Sequence, residues 1–267
     1  MTRATRRPPT TQPPLHGRHA VVTGGGRGIG IAIARVLLSH GARVTIVGRD
    51  PKTLRSTEKQ IGAPESLFAT PADVTDSDSV SRALNDARSR FGAITILVNN
   101  AGQAGSAAIR RTDVSLWRRM MAVNLDGTYY ATSAVVADMV ASGWGRLVNI
   151  ASTAGLVGYP YTTAYCAAKH GVVGFTRSLA IELATSGVTV NAVCPGFTDT
   201  DMAKAAVATI VAKTARSAEQ ATAELLSHNP QGRFVRPEEV ANAVVWLCLP
   251  GSDAINGQTI VVAGGEV

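Results

Sequence analysis

From His19 onward the chain alternates short runs of β-branched and apolar residues with longer stretches of helical periodicity, and this rhythm constrains the fold more than any other feature. HAVVTG is followed by a helical pattern over Gly28 to His40, ARVTIVG by one over Pro51 to Ile61, and SLFAT by one from Asp76 to Phe91. The series continues with AITILVNN, two helices within Val114 to Ser142, GRLVNIAS, a long helix over Thr162 to Ala184, GVTVNAV and finally QTIVVAGG. Between the last two runs lie the Ala-rich, helical Asp201 to Ser227 and a helix opened by Pro237, Glu238 and Glu239. Strands separated by helices need crossover connections, so the expectation is a doubly wound parallel sheet of about seven strands with helices on both faces. Ligands of such sheets bind outside the carboxyl ends of the strands, and the loops there are where functional residues belong.

One core of this kind accommodates 267 residues, and 45% hydrophobic against 17% charged residues fits a well-filled globule. Residues 1–16 differ. They carry Arg3, Arg6 and Arg7 with no acidic residue, four prolines and no apolar stretch of the secretory kind, and they read as a disordered basic extension. Residues 17–267 read as one domain. Those arginines are the only charges of the arm, so the formal net charge falls from +7 to +4 without it. No second basic cluster or aromatic interleaving supports a nucleic-acid partner. Cys166, Cys194 and Cys248 lack paired spacing, which argues against a metal site or disulfide framework and for reduced thiols in the cytoplasm. Polar residues interrupt every apolar stretch well short of the roughly 20 residues of a membrane span, so no membrane partner is expected.

Thr23-Gly24-Gly25-Gly26-Arg27-Gly28-Ile29-Gly30 stands where the first strand turns into the first helix. Glycines there let the backbone approach a pyrophosphate at a helix N-terminus, which points to a dinucleotide. The choice between NADP(H) and NAD(H) turns on the end of the second strand, Gly48-Arg49-Asp50. Asp50 lies about 20 residues after Gly30, as a ribose-binding carboxylate would, but it precedes Pro51 and reads as a helix N-cap. Arg49 and Arg27 are two guanidiniums placed to meet a 2′-phosphate, which favours NADP(H) over NAD(H).

Tyr165 and Lys169 share one helix face at i, i+4 spacing. A phenol has a reference pKa of about 10, so proton exchange near neutral pH needs cations close by. Ser152 ends the GRLVNIAS strand at the same edge of the sheet, with its hydroxyl available to hold a substrate carbonyl. Asn99 and Asn100 end AITILVNN there too, and the small Ala101 and Gly102 leave room for a loop to pass under a cofactor.

With these residues in place, the chain resembles the short-chain dehydrogenase/reductase family: TGxxxGxG at Thr23 to Gly30, NNAG at Asn99 to Gly102, Ser152, and YxxxK at Tyr165 to Lys169. Asp73-Val74, Asn124 in AVNLDG and NAVCPG at Asn191 to Gly196 extend the match over Gly17 to Val267. The resemblance implies a single Rossmann-like domain and a catalytic tetrad. In it Tyr165 is general acid/base, Ser152 polarises the carbonyl, Lys169 holds the nicotinamide ribose and lowers the tyrosine pKa, and Asn124 orders a relay water. It implies cofactor contacts from Gly24, Gly26, Arg27, Gly28, Ile29, Gly30, Arg49, Asp73, Val74, Asn100, Ala101, Gly102, Tyr165, Lys169, Pro195, Gly196, Thr198 and Thr200. Thr198 departs from the Ile or Val common there, a change that a backbone contact would survive. Likeness is greatest to 3-oxoacyl-thioester and polyketide ketoreductases, with Gln103, Ser152, Tyr159 and Tyr165 toward the substrate and residues 201–232 as a lid. A coenzyme A or carrier-protein thioester and a homotetramer follow by the same resemblance. The alternatives are dehydrogenation of a cyclic or steroid-like secondary alcohol, and a non-catalytic dinucleotide-binding protein.

Overall fold

The strands form where the apolar runs can be buried on both faces at once. Val21, Val22, Ile46, Ile96, Leu97 and Val190 are all inaccessible to solvent, as a parallel sheet covered by helices requires. The computed structural model describes residues 12–267. Its strands are β1 (His19–Thr23), β2 (Arg43–Gly48), β3 (Leu67–Pro71), β4 (Ile96–Asn99), β5 (Gly145–Ile150), β6 (Val188–Pro195) and β7 (Thr259–Val262). They pair in parallel as one sheet of order β3-β2-β1-β4-β5-β6-β7. The expected single doubly wound sheet of seven strands is therefore what the chain forms.

The helices are α1 (Gly28–Ser39), α2 (Pro51–Ile61), α3 (Ser77–Phe91), α4 (Val114–Met121), α5 (Gly127–Ala141), α6 (Thr163–Glu182), α7 (Asp201–Lys213), α8 (Ala218–Leu226) and α9 (Pro237–Cys248). On one face Ile33 and Leu37 of α1 meet Val240 and Val244 of α9 over Val22 and Ile46. On the other, Val80 and Leu84 of α3 meet Val135 and Met139 of α5 over Val21 and Leu97. Local chemistry sets the boundaries: Asp50 accepts from Lys52 N (3.0 Å) and Thr53 N (3.1 Å) to start α2, and Asp76 accepts from Asp78 N and Ser79 N to start α3.

One expectation needs correcting. The folded body begins before Gly17: Leu15 is fully buried, its N–H donates to His40 O (2.9 Å), and Gly41 is packed against Pro13. A lone leucine among prolines and threonines carries no periodicity that would reveal this anchor. The remainder of the arm, residues 1–11, lies outside the described residues. The Ala-rich stretch over Asp201 to Ser227 is helical as expected and divides in two, because Ser217 and Gln220 form a reciprocal capping box that starts α8 afresh.

The strand order reverses between β1 and β4, and the crevice at that reversal receives the loops after both strands. Gly30 shows why the first turn is glycine-rich. A Cβ there would stand 2.2 Å from Gly24 O and 2.7 Å from Asn100 Nδ2, a clash with backbone that no rotamer relieves. Gly30→Ala is expected to cost on the order of 1–3 kcal/mol of stability and to weaken dinucleotide binding, read by thermal unfolding with and without NADPH; an unchanged melting temperature and affinity would contradict the packing described.

Candidate active site

The ends of β1 and β4 are tied together by a polar clasp. Thr23 Oγ1 accepts from the backbone N–H groups of Asn100 and Ala101, each at 3.0 Å. Asn100 Nδ2 returns two bonds, to Thr23 O (3.0 Å) and Gly24 O (3.1 Å). The Asn100 side-chain donor, expected on the ribose side of a cofactor, is thus spent on holding the glycine loop. Thr57 of α2 adds a bond from its Oγ1 to Gly26 O (2.8 Å). In the sequence Thr23 appears only as the first residue of the glycine-loop motif and Thr57 not at all; a threonine before a glycine loop signals this role only when the partner strand is known. At the other border of the loop, the Thr200 methyl lies 3.2 Å from where a Cβ of Gly28 would stand. Gly28, with φ +53°, and Gly24, with φ +65°, occupy left-handed backbone that favours glycine.

The end of β2 divides its two polar residues by function. Asp50 is consumed: besides the two backbone bonds, it accepts from the Thr53 hydroxyl at 2.5 Å. Arg49 is exposed and lines a shallow depression with Pro71, Ala72, Asp73 and Ser79. Asp73 itself accepts from the N–H (2.9 Å) and hydroxyl (2.8 Å) of Thr75. That N–H holds its carboxyl below the usual range, aided by the Thr75 hydroxyl and Arg49. Arg27, the exposed N-cap of α1, and Arg49 pair with no carboxylate among the described residues. Val74 is packed into Gly127 at the start of α5 and is only 8% exposed.

At the carboxyl end of β5, Ser152 caps a 3-10 turn over Thr153–Gly155, its Oγ accepting from Ala154 N at 3.1 Å. Because the oxygen is the acceptor in that bond, the hydroxyl proton is left for donation on the side of Tyr165. The turn lies against α6 so closely that a Cβ at Gly155 would meet Lys169 O at 2.8 Å. Lys169 is 5% exposed, donates from Nζ to Ile150 O (2.8 Å) and sits 5.8 Å from the Tyr165 ring centroid. Asn124, 1% exposed, occupies a π-helical turn over Ala122–Asp126 between α4 and α5. Its amide donates to Gln103 O and Met120 O, both at 3.0 Å, and accepts from Gln103 N at 3.2 Å. Its side chain therefore fixes the loop after β4 and has no donor left for a relay water. Gly102 lies between these groups: a Cβ there would be 2.9 Å from Asn124 Oδ1 and 3.7 Å from Lys169 Nζ.

The loop after β6 closes the site. Thr198, 7% exposed, turns its hydroxyl to Gly196 O (3.0 Å), which lets it occupy a buried position as an apolar residue would. Thr200 donates to Thr198 O (3.2 Å) as the chain enters α7, and Lys213 at the far end of α7 donates to Ser106 O (3.2 Å). Tyr161, with φ +65°, is the non-glycine residue in left-handed backbone among the described residues, and its carbonyl receives Ala107 N at 2.8 Å. Tyr159, expected toward the substrate, instead points its hydroxyl at Thr153 Oγ1 and Glu266.

The short chain dehydrogenase family model matches residues 18–211, the span holding the clasp, Ser152, Tyr165 and Lys169. The chain belongs to the short-chain dehydrogenase family. Its relatives include a putative ketoacyl reductase of Streptomyces coelicolor, 39% identical over 92% of this chain and 95% of that protein. Another is 2-(S)-hydroxypropyl-CoM dehydrogenase 3 of Xanthobacter autotrophicus, 38% identical over 91% of this chain and 94% of that one. Among solved structures, a variant of the actinorhodin polyketide ketoreductase crystallised with NADPH superposes with a TM-score of 0.90 at 38% identity, covering 93% of this chain and 97% of that one. The protein is an oxidoreductase with a dinucleotide-binding fold. Among the described residues no helix is long and apolar enough to cross a membrane, and no cluster of side chains suits a metal ion.

Burial dominates the electrostatics of this dehydrogenase's site. It pushes the Tyr165 phenol up to about 12, an effect partly offset by the neighbouring Ser152 hydroxyl. The same burial brings the Lys169 ammonium down to about 8. The chain's own groups thus do not depress the tyrosine as expected, because hiding a phenolate from water outweighs the help of the Ser152 hydroxyl. The charged form of Lys169 dominates below pH 8 and is lost above it, while Tyr165 keeps its proton throughout. kcat/KM for carbonyl reduction is therefore expected to be level below about pH 7 and to fall with a midpoint near 8. A profile level to pH 10 would contradict the assignment.

Proposed function

We propose that the protein is an NADP(H)-dependent ketoreductase acting on a 3-oxoacyl thioester or a polyketide-type ketone carried by coenzyme A or a carrier protein. The observation that carries this reading is the meeting of Ser152, Tyr165 and Lys169 at the edge where the glycine loop opens. A non-catalytic dinucleotide-binding protein would have no use for that set.

The residues fit NADP(H). Gly24, Gly28 and Gly30 form a cradle that a Cβ would fill, Asp50 is occupied as a helix cap, and Arg27 and Arg49 are free to receive a 2′-phosphate. By the family resemblance, Ile29, Ala101, Pro195 and Gly196 are assigned to the same cofactor. The cofactor held there would supply the hydride for the carbonyl carbon, or accept it in the reverse direction. Ser152 donates its free proton to the carbonyl oxygen, and Tyr165 gives its phenolic proton to the oxygen as it becomes an alkoxide. Lys169 uses one proton on Ile150 O and retains two others for the ribose and the phenol side of the site. The Asn124 carbonyl accepts from Thr128 Oγ1 (3.1 Å), and its second lone pair, rather than the side chain, is the acceptor we assign to a relay water. Residues 201–232 act as the lid, with Lys213 on Ser106 marking where it lands. Exposed Tyr129, Ile181 and Trp246 on α5, α6 and α9 support pairing of copies into a homotetramer, and the reduced thiols fit a cytoplasmic enzyme.

The name of the Xanthobacter relative keeps a second reading open, the oxidation of another secondary alcohol. Both are separated by measuring NADPH consumption with acetoacetyl thioesters, cyclic ketones and steroid-like ketones. The expected order has acetoacetyl thioesters first, with NADPH preferred over NADH by about tenfold or more and the preference reduced in Arg49→Ala, as loss of a charge-assisted phosphate contact implies. Preference for NADH, or turnover confined to cyclic ketones, would overturn the corresponding half of the proposal.

A further inference from the structure

Glu266 is a buried acid that the mechanism does not use. It follows β7, far along the chain from the site, yet its side chain is only 6% exposed. Its Oε1 accepts from the Tyr159 hydroxyl. Its Oε2 is buried with no hydrogen-bond partner and stands 2.7 Å from where a Cβ of Gly196 would be. Hiding a carboxyl oxygen from water without a partner costs folding free energy, so a residue held this way calls for a role other than stability.

The surroundings identify that role. Tyr159 Oη and Thr153 Oγ1 lie 2.8 Å apart. The phenol has one proton, and Glu266, as a pure acceptor, takes it; Thr153 then turns its own hydroxyl proton to the Tyr159 oxygen. The chain of bonds runs from Thr153 through Tyr159 to Glu266 and begins on the residue next to Ser152. The Ser152 turn is braced on one side by Gly155 against α6. On the other it is held by Tyr159, whose ring meets Phe197 at 6.3 Å and His228 at 5.5 Å, both edge to face. His228 Nδ1 lies 3.9 Å from Glu266 Oε1, and the neighbouring Asn229 touches Gly264. One short segment, residues 263–266, therefore reaches the Ser152 turn through Tyr159 and touches the loop at Gly196 and the residues that follow α8.

We propose that Glu266 is a positioning residue: through Tyr159 and Thr153 it fixes the orientation of the Ser152 hydroxyl toward the substrate carbonyl. The inference rests on the reading of Ser152 as the carbonyl-polarising group. A hydroxyl held in the direction of the developing alkoxide acts on the transition state more than on bound ketone, so its loss is expressed in kcat rather than in KM.

The test compares Glu266→Ala, Glu266→Gln, Tyr159→Phe and the double variant Tyr159→Phe/Glu266→Ala in steady-state reduction of acetoacetyl thioester, with Ser152→Ala as control and thermal unfolding of each. Glu266→Ala is expected to lower kcat roughly tenfold, equivalent to about 1.4 kcal/mol, while KM for NADPH changes by less than about twofold. Glutamine keeps an acceptor for the Tyr159 proton and restores most of the rate. The double variant is no slower than Glu266→Ala alone, because both break one chain of bonds. The proposal is overturned if Ser152→Ala is inactive yet folded Glu266→Ala keeps its kcat, or if Ala and Gln lose activity equally in step with melting temperature. If Ser152→Ala itself retains full turnover, the reading of the site fails first, and the inference fails with it.

Discussion

The clasp between Thr23 and Asn100 is the contact on which the rest of the site depends. It joins the ends of two strands that run side by side but continue into loops on opposite sides of the crevice, and it uses six polar atoms to do so. Those bonds satisfy backbone groups that would otherwise be stranded at a sheet edge, and they set the height of the glycine loop over β4. Gly30 and Gly24 are glycines because the clasp brings their backbones together at a distance no side chain permits. Below it, Asn99 Nδ2 donates to Asn149 Oδ1 and Thr132 Oγ1, and Asn149 Nδ2 to Thr176 Oγ1, carrying the polar ties under the site into α6. The helix bearing Tyr165 and Lys169 is thereby fixed to the strands bearing the cofactor loop.

A second pattern is the division of polar groups into those consumed by structure and those left for chemistry. Asp50, the Asn100 amide, the Asn124 amide and Thr198 have spent their hydrogen-bonding capacity on the fold. Arg27, Arg49, the Ser152 proton and two protons of Lys169 have not. Preorganisation follows from this separation, since the spent groups hold the free ones still before a ligand arrives. Burial then sets the protonation states, keeping Tyr165 protonated and bringing Lys169 within reach of physiological pH.

Much of this was legible in the sequence because it depends on local periodicity and spacing. The alternation of strands and helices, the glycine loop at the first strand–helix turn, the capping role of Asp50 and the shared face of Tyr165 and Lys169 all follow from neighbours within a few residues. Long-range commitments were not legible. Nothing near Asn100 in the chain reveals that its amide faces Gly24 O, 76 residues earlier. Nothing near Tyr159 announces Glu266, 107 residues later. Leu15 escaped notice because one buried residue in a proline-rich arm has no pattern, and the start of α8 because its capping box interrupts an otherwise continuous run of helix formers.

The central claim is that Tyr165 delivers the proton that accompanies hydride transfer, while the dinucleotide is held by other groups. Tyr165→Phe removes the hydroxyl and little else. Single-turnover reduction with NADPH in this variant is predicted to slow by about 10²-fold or more, the scale of a lost general acid, while NADPH affinity from fluorescence titration stays within about twofold of the parent. A variant that binds NADPH as before and reduces ketone at the parent rate would contradict the account.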